Sequence, residues 1–132
     1  MRFRIIALSL ALVFATTPAS AGAYLNDLLK QPAFLASWNA LFAGSSAPDW
    51  VADFAATSNG VATPSEDVEI GGKTYVYASL CKPHDCAGNM LGVVFTADGS
   101  QAWALLEAGG TTQTFGNPGG AIEAALKAKA GQ

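Results

Sequence analysis

Both cysteines of the chain and its single histidine lie within six residues, in the stretch SLCKPHDCAG at residues 79–88. A pair of thiols can bind a metal, exchange electrons or close a disulfide. An imidazole can donate or accept a proton, or bind a metal, near neutral pH. The positions Cys81, His84 and Cys86 are therefore the first place where this sequence could carry chemistry.

The N-terminal segment decides which of these reactions the cysteines are available for. Two arginines among the first four residues precede an apolar run, residues 5–15, and the small residues Ala19-Ser20-Ala21 follow. This order is typical of a secretory signal peptide, and the run is shorter than the ~20 residues that span a bilayer. We expect residues 1–21 to be a signal peptide that is removed on export, leaving a protein without a membrane anchor.

The rest of the chain, residues 22–132, has the length of one domain with its own core. Once the two N-terminal arginines are removed, five lysines face ten Asp and Glu, which leaves a net charge of −5. Phosphates would repel such a surface, so nucleic acid is not an expected partner. The charge instead favours encounter with a basic partner. No pattern calls for a cofactor.

Export also favours oxidation of the cysteines, and two cysteines allow only one intramolecular pair, Cys81–Cys86. Such a short ring contributes about 2 kcal/mol in the chain-entropy model. Pro83 fixes its own φ and restricts Lys82. The segment Lys82-Pro83-His84-Asp85 is therefore expected to be exposed and held in few conformations. It is either a closed turn whose side chains do nothing or a recognition loop, and its composition favours recognition.

The surrounding elements place this loop between two strands. Helical spacing of apolar residues predicts a helix over 24–43 and a shorter one over 47–57, followed by a loop over 58–66. Alternation of apolar and polar residues, together with turn signals, predicts five strands, at 67–70, 73–80, 89–96, 101–108 and 111–115. A last helix is predicted over 120–130. Helices, an antiparallel meander and a final helix make an α+β fold. The cysteine loop then lies at a hairpin tip.

Other kinds of site are less well supported by the same residues. A redox dithiol usually has its cysteines two residues apart, and zinc needs about four ligands. No Gly-x-Ser-x-Gly pattern accompanies His84. Neighbouring carboxylates such as Glu66 and Asp67 point to opposite faces of a strand. The tryptophans, which could form a ligand platform, lie on apolar patterns typical of a core, at positions 38, 50 and 103. We predict neither a metal site nor an enzyme.

The motif CKPHDC at 81–86 resembles that of the inhibitors of vertebrate lysozyme, the Ivy family of periplasmic bacterial proteins. The segments APDWV at 47–51, KTYVYASLC at 73–81 and FGNPGG at 115–120 are similar to that family in the same order. The resemblance implies a five-stranded antiparallel sheet with helices on both faces. It also implies a periplasmic location.

For function, the resemblance implies a loop closed by Cys81–Cys86 that enters the active-site cleft of C-type lysozyme. His84 would then lie against the two catalytic carboxylates of the enzyme, and Lys82, Pro83 and Asp85 would flank it. The chain would act as a monomer or a homodimer. Two alternatives stay open, a regulator of the cell's own lytic transglycosylases and a periplasmic protein that binds a small ligand between its tryptophans.

Overall fold

The computed structural model describes residues 22–132. The predicted signal peptide, residues 1–21, lies outside the described residues. Four short helices come first, followed by six strands and a last helix, so the predicted α+β class is confirmed. The helices that precede the sheet are α1 Leu25–Leu28, α2 Pro32–Phe42, α3 Asp49–Ala52 and α4 Phe54–Thr57.

Two helices predicted as continuous are each divided in the structure. The helix predicted over 24–43 is interrupted before Pro32, because proline restricts the preceding residue to extended conformations. Gln31 has φ −82° and ψ 128°, and Pro32 opens α2 as its first residue. The helix predicted over 47–57 is divided at Asp53, which caps the end of α3 and the start of α4.

The five predicted strands are present, and a sixth, very short strand precedes them. The strands are β1 Val61–Ala62, β2 Glu66–Ile70, β3 Lys73–Lys82, β4 Asp85–Thr96, β5 Ala102–Ala108 and β6 Thr111–Phe115. All pairings are antiparallel, in the order β1-β3-β4-β5-β6, with β2 also paired to β3. The strand β1 lies in the segment predicted as loop, so that prediction was wrong at Val61 and Ala62.

Helices cover both faces of this sheet. The last helix, α5 Gly120–Ala130, has the predicted bounds and packs through Leu126 on one face, against Val94 and Leu105. The other four helices pack on the opposite face, with Phe34, Trp38, Phe42 and Phe54 among its buried side chains. Successive side chains of β3, β4 and β5 point to opposite faces of the sheet, and they pack in two apolar layers, one on each side.

The tryptophans do not share a pocket. Trp38 is buried in the cluster under the first four helices, and Trp50 is half-buried against that cluster, while Trp103 is half-buried against the cluster under α5 on the other face. Their interpretation as core residues is confirmed. Glu66 and Asp67 pair with Tyr77 and Val76, neighbours that point to opposite faces, so they do not form a carboxylate pair.

Within residues 22–132, no helix combines the length and the apolar character needed to cross a membrane.

Candidate functional site

The disulfide loop, residues Cys81–Cys86, connects β3 to β4 at one end of the sheet. The predicted bond between the two cysteines is present, with their Cα atoms 4.9 Å apart. Cys81 is buried in the sheet, whereas Cys86 is exposed. The bond therefore fastens an exposed segment to a side chain that the sheet holds in place.

Pro83 and His84 form the two-residue turn at the tip of this loop, between the paired residues Lys82 and Asp85. The proline ring fixes its φ near about −65°, and the φ of His84 is +61°. This succession of φ values is that of a type II turn, in which the residue after proline is usually glycine. His84 thus adopts a left-handed backbone conformation that is uncommon for a residue with a side chain.

Next to the turn, several residues of β4 bulge out of the pairing with β3. Cys81 pairs with Met90, but the following residue, Lys82, pairs with Asp85, so residues 86–89 have no partner on β3. Bulges of this kind change the direction of a strand and of the side chains that follow it. The bulge separates the tip of the disulfide loop from the regular part of the sheet.

The other side of the bulge is held by β5. Asn89 pairs with Ala108, and the N–H of Gly109 donates to the carbonyl of Gly88 over 3.1 Å. Gly88 has a φ of +76°, which residues with a Cβ rarely adopt. The bulge is therefore held by backbone contacts to β5 and by the disulfide.

The polar side chains of the loop have no partner within the part of the chain that the structure describes. Lys82, His84 and Asp85 are exposed, and none of them makes a side-chain hydrogen bond or ion pair to residues 22–132. Pro83 is half-buried. An ammonium, an imidazole and a carboxylate are thus presented together on one turn, with their hydrogen-bonding capacity unused.

The loop has the groups needed to form hydrogen bonds with a partner molecule. Both cysteine sulfurs are taken up in the disulfide. Among residues 22–132, no three His, Cys, Asp or Glu side chains come together as a metal site would require. The loop can donate and accept hydrogen bonds to a partner molecule.

Beneath the loop, charged side chains fasten α5 to the sheet. Lys129 donates to Glu66 on β2 and lies 5.4 Å from the ring centroid of Tyr77. Burial, and then the carboxylates of Glu66 and Glu107, raise the pKa of the Tyr77 hydroxyl. The contacts of Lys129 hold the last turn of α5 next to the strands that carry the loop.

Two exposed apolar residues beside the loop were not expected from the sequence. Val61 is 52% exposed and Met90 is 41% exposed, and both pair directly with Cys81, one on each side. Val61 lay in a segment predicted as loop, and Met90 in the strand predicted over 89–96. No local sequence signal distinguishes them, since their exposure depends on where the helices end.

A profile of the family described as inhibitor of vertebrate lysozyme (Ivy) matches residues 33–131 of this chain. An inhibitor of vertebrate lysozyme from Pseudomonas aeruginosa is 41% identical over 106 residues, which are 77% of this chain and 67% of the relative. The inhibitor of vertebrate lysozyme from Escherichia coli K12 is 32% identical over 106 residues, 80% of this chain and 64% of the relative.

An uncharacterised protein of Yersinia pestis is also similar, with 37% identity over 92 residues, 69% of this chain and 54% of the relative. The matched part of the chain thus spans between 54% and 67% of the length of these three relatives.

Proposed function

This chain belongs to the family of inhibitors of vertebrate lysozyme, and from that premise we propose that it inhibits C-type lysozyme through its disulfide loop. The family is one of enzyme inhibitors, not of enzymes. In the proposal, the loop enters the active-site cleft and His84 lies against the two catalytic carboxylates. The observation that carries the proposal is the exposed imidazole of His84, which has no partner among residues 22–132 and lies at the tip of a turn closed by Cys81–Cys86.

The chemistry of the target explains why an imidazole would block it. Lysozyme hydrolyses its substrate with two carboxyl groups, one a general acid with a raised pKa and the other ionised. An imidazole donates a hydrogen bond from one ring nitrogen, or from both when it is protonated. Hydrogen bonds to a carboxylate are charge-assisted and become stronger as water is excluded. Such bonds would occupy the catalytic carboxylates and close the cleft to the glycan.

The backbone of the loop supports tight binding because little of its freedom remains to be lost. Pro83 fixes one torsion, the left-handed φ of His84 fixes the next, and the disulfide closes the ring around both. Association costs free energy for every segment that must be ordered. A turn that is already in its bound shape avoids most of that cost.

The flanking side chains of the loop have complementary roles in the proposal. Lys82 and Asp85 leave β3 and β4 side by side, as a pair of opposite charges directly before and after the turn. Asp85 can accept hydrogen bonds and Lys82 can donate them to groups at the mouth of the cleft. Both would orient the loop, while His84 would reach the catalytic groups.

Overall charge supports the encounter of the two proteins. Residues 22–132 carry five lysines and ten carboxylates, a net charge of −5. A negatively charged inhibitor is steered toward a basic enzyme, which raises the association rate more than the final affinity. We therefore expect association that slows as salt is added.

The location of the protein forms part of the same proposal. We propose that residues 1–21 direct export, that residues 22–132 fold as one domain in the periplasm, and that the disulfide forms there. An oxidising compartment keeps such a disulfide closed, and a periplasmic inhibitor is placed where it meets lysozyme that has entered the envelope.

A direct test titrates purified residues 22–132 against a panel of enzymes: a C-type lysozyme, a lysozyme of another class and a lytic transglycosylase. We expect stoichiometric inhibition of the C-type enzyme and a complex that comigrates on a sizing column. Absence of both for every C-type lysozyme tried would contradict the proposal. Stronger inhibition of the transglycosylase would show that this enzyme is the target of the loop, which is one of the alternatives that the sequence left open.

A further inference from the structure

In the described part of the chain, the large exposed apolar residues are concentrated beside the disulfide loop. Among residues 22–132, three large apolar or aromatic side chains are exposed: Tyr24 at 47%, Val61 at 52% and Met90 at 41%. Val61 and Met90 are the direct neighbours of Cys81 on β1 and on β4. We call these two side chains the apolar pair.

The apolar pair and the disulfide lie in one row across the sheet. Residues directly opposite each other in antiparallel strands point to the same face, so the row reads Val61, Cys81 and Met90, and continues to Glu107. With strands about 4.8 Å apart, the two apolar side chains are roughly 10 Å from each other. The disulfide lies between them.

The helix α5 does not cover this row. It packs on the same face through Leu126 and ends at Ala130, where its last turn borders Met90 and Glu107 around a cavity of about 30 Å³. Beyond that turn, Met90 and Val61 remain open to solvent. The uncovered surface is therefore continuous with the base of the disulfide loop.

The size of the loop argues that an inhibitor needs this additional surface. A stable protein complex buries about 800 Å² on each partner, contributed by roughly 20–30 residues. The segment between the two cysteines has four residues, Lys82 to Asp85, of which three carry charged or ionisable side chains. So small and polar a tip supplies specific hydrogen bonds but little apolar contact area.

We propose that Val61 and Met90 form a second contact surface for the same lysozyme, which packs against the apolar and aromatic rim of its cleft when the loop is inserted. This inference rests on the proposed function. Substrate clefts are lined mainly by apolar and aromatic side chains, the surface that an exposed valine and methionine fit. Methionine, with its flexible thioether chain, adapts to such surfaces and contacts aromatic rings favourably.

The apolar pair also has a consequence for the loop. Contacts that surround a central polar anchor exclude water from it, and the hydrogen bonds of His84 to carboxylates become stronger in a water-free cleft. Val61 and Met90, one on each side of the disulfide, would seal the entrance on two sides. Their removal is expected to accelerate dissociation rather than slow association.

The test compares Val61→Thr, Met90→Gln and the double variant with the wild-type chain. Both substitutions keep the shape of exposed side chains, so the fold is expected to remain. We expect each single variant to bind a C-type lysozyme about 3- to 10-fold more weakly, and the double variant about 10- to 100-fold more weakly. These losses are typical of interface side chains that surround a central anchor residue. Most of the change should appear in the dissociation rate.

Val68→Thr is a control for the chemical change, because it makes the same substitution on β2 at a position that pairs with Tyr75, six residues away from Cys81 along β3. Val68 is partly buried against the cluster under α5, so this variant is expected to lose more stability than Val61→Thr. It should leave the affinity unchanged. Thermal unfolding of every variant checks that the fold is retained.

The outcomes separate this inference from the proposed function. If the wild-type chain fails to inhibit, the proposed function fails and the inference with it. If the wild-type chain inhibits and the double variant binds equally well, only the inference is overturned. Analytical ultracentrifugation tests one more outcome. If the double variant inhibits as well as the wild type but no longer self-associates, the apolar pair is a contact between two copies of the chain, and the inference that it contacts lysozyme is overturned.

Discussion

The two ends of β4 carry turns that are stabilised in opposite ways. At the turn after Thr96, Asp98 accepts hydrogen bonds from the backbone N–H of Ser100, from its hydroxyl and from the Thr96 hydroxyl, over 2.7 to 3.0 Å. At the turn before β4, the side chains of Lys82, His84 and Asp85 make no such bonds to residues 22–132.

The backbone shows the same contrast. The left-handed position of the Asp98 turn is occupied by Gly99, with φ +75°, whereas that of the loop is occupied by His84, with φ +61°. One turn uses the residue that the conformation prefers and satisfies its polar groups internally. The other keeps an ionisable side chain in an unfavourable conformation and relies on a disulfide for its shape. In the proposed function, the first turn serves folding and the second binds the partner.

The largest effect is expected from opening the disulfide with the double variant Cys81→Ala/Cys86→Ser. Stability should fall by about 2 kcal/mol, while affinity for a C-type lysozyme should fall by about 3–4 kcal/mol, because four residues must then be ordered on binding at about 1 kcal/mol each. Denaturant unfolding and inhibition constants measure the two losses. Equal affinity of the closed and open chains, both folded, would refute the role of the ring in preorganisation.

At the other turn, Gly99→Ala should reduce stability by about 3 kcal/mol and leave inhibition unchanged. A Cβ at Gly99 would lie 2.4 Å from the ring of buried Phe34, at a φ of +75°. Left-handed strain of about 1–2 kcal/mol adds to an overpacking cost of about 1–3 kcal/mol. Urea unfolding gives the first quantity and an inhibition assay the second. A variant that stays stable but no longer inhibits would contradict the proposal that this turn serves folding and not binding.

In the bulge, Gly88→Ala should cost about 1 kcal/mol of stability and weaken inhibition several-fold, because its φ of +76° disfavours a Cβ that meets no other atom within 4 Å. Gly71→Ala is the matched control. Its φ is +60°, it also has open space, and it lies in the β2–β3 turn away from the loop. Both variants should lose similar stability. An equal loss of inhibition in both would show that the shape of the bulge does not matter.

The smallest effect is expected at Asp98. Hydrogen bonds, first from the backbone N–H of Ser100 and then from the two hydroxyls, lower the pKa of this carboxyl from 3.8 to about 2. A lowered pKa means that its contribution to stability is present above pH 4 and is lost as the pH falls through 2. Asp98→Asn should therefore be slightly less stable than the wild type at pH 7, and the difference should vanish as the pH falls below 2. A difference that is constant with pH would contradict this assignment.

Much of the sheet could be predicted from the sequence because its hairpins carry local turn signals. Gly71 and Gly72 both have positive φ, as a two-residue type I′ turn requires, and they join β2 to β3 where expected. The disulfide could be predicted as well, since the expected export favours oxidation and two cysteines allow a single pairing. Both features are decided by residues that are close together in the chain.

Features that depend on distant contacts could not be predicted in this way. The two residues of β1 show no periodicity, and they form a strand only because Leu80 and Cys81 offer them a free edge. The exposure of Met90 depends on where α5 ends over the sheet. The sequence of the loop indicated recognition, while the apolar surface beside it appeared only once the strands were in register.

The most direct test of the account is the inhibition constant of His84→Asn against a C-type lysozyme. Asparagine tolerates the left-handed backbone, so the fold and the turn should be retained while the imidazole is lost. The account predicts a rise of about 30-fold or more, the ~2 kcal/mol of a central interface anchor, with an unchanged unfolding temperature. An unchanged inhibition constant in the folded variant would contradict it.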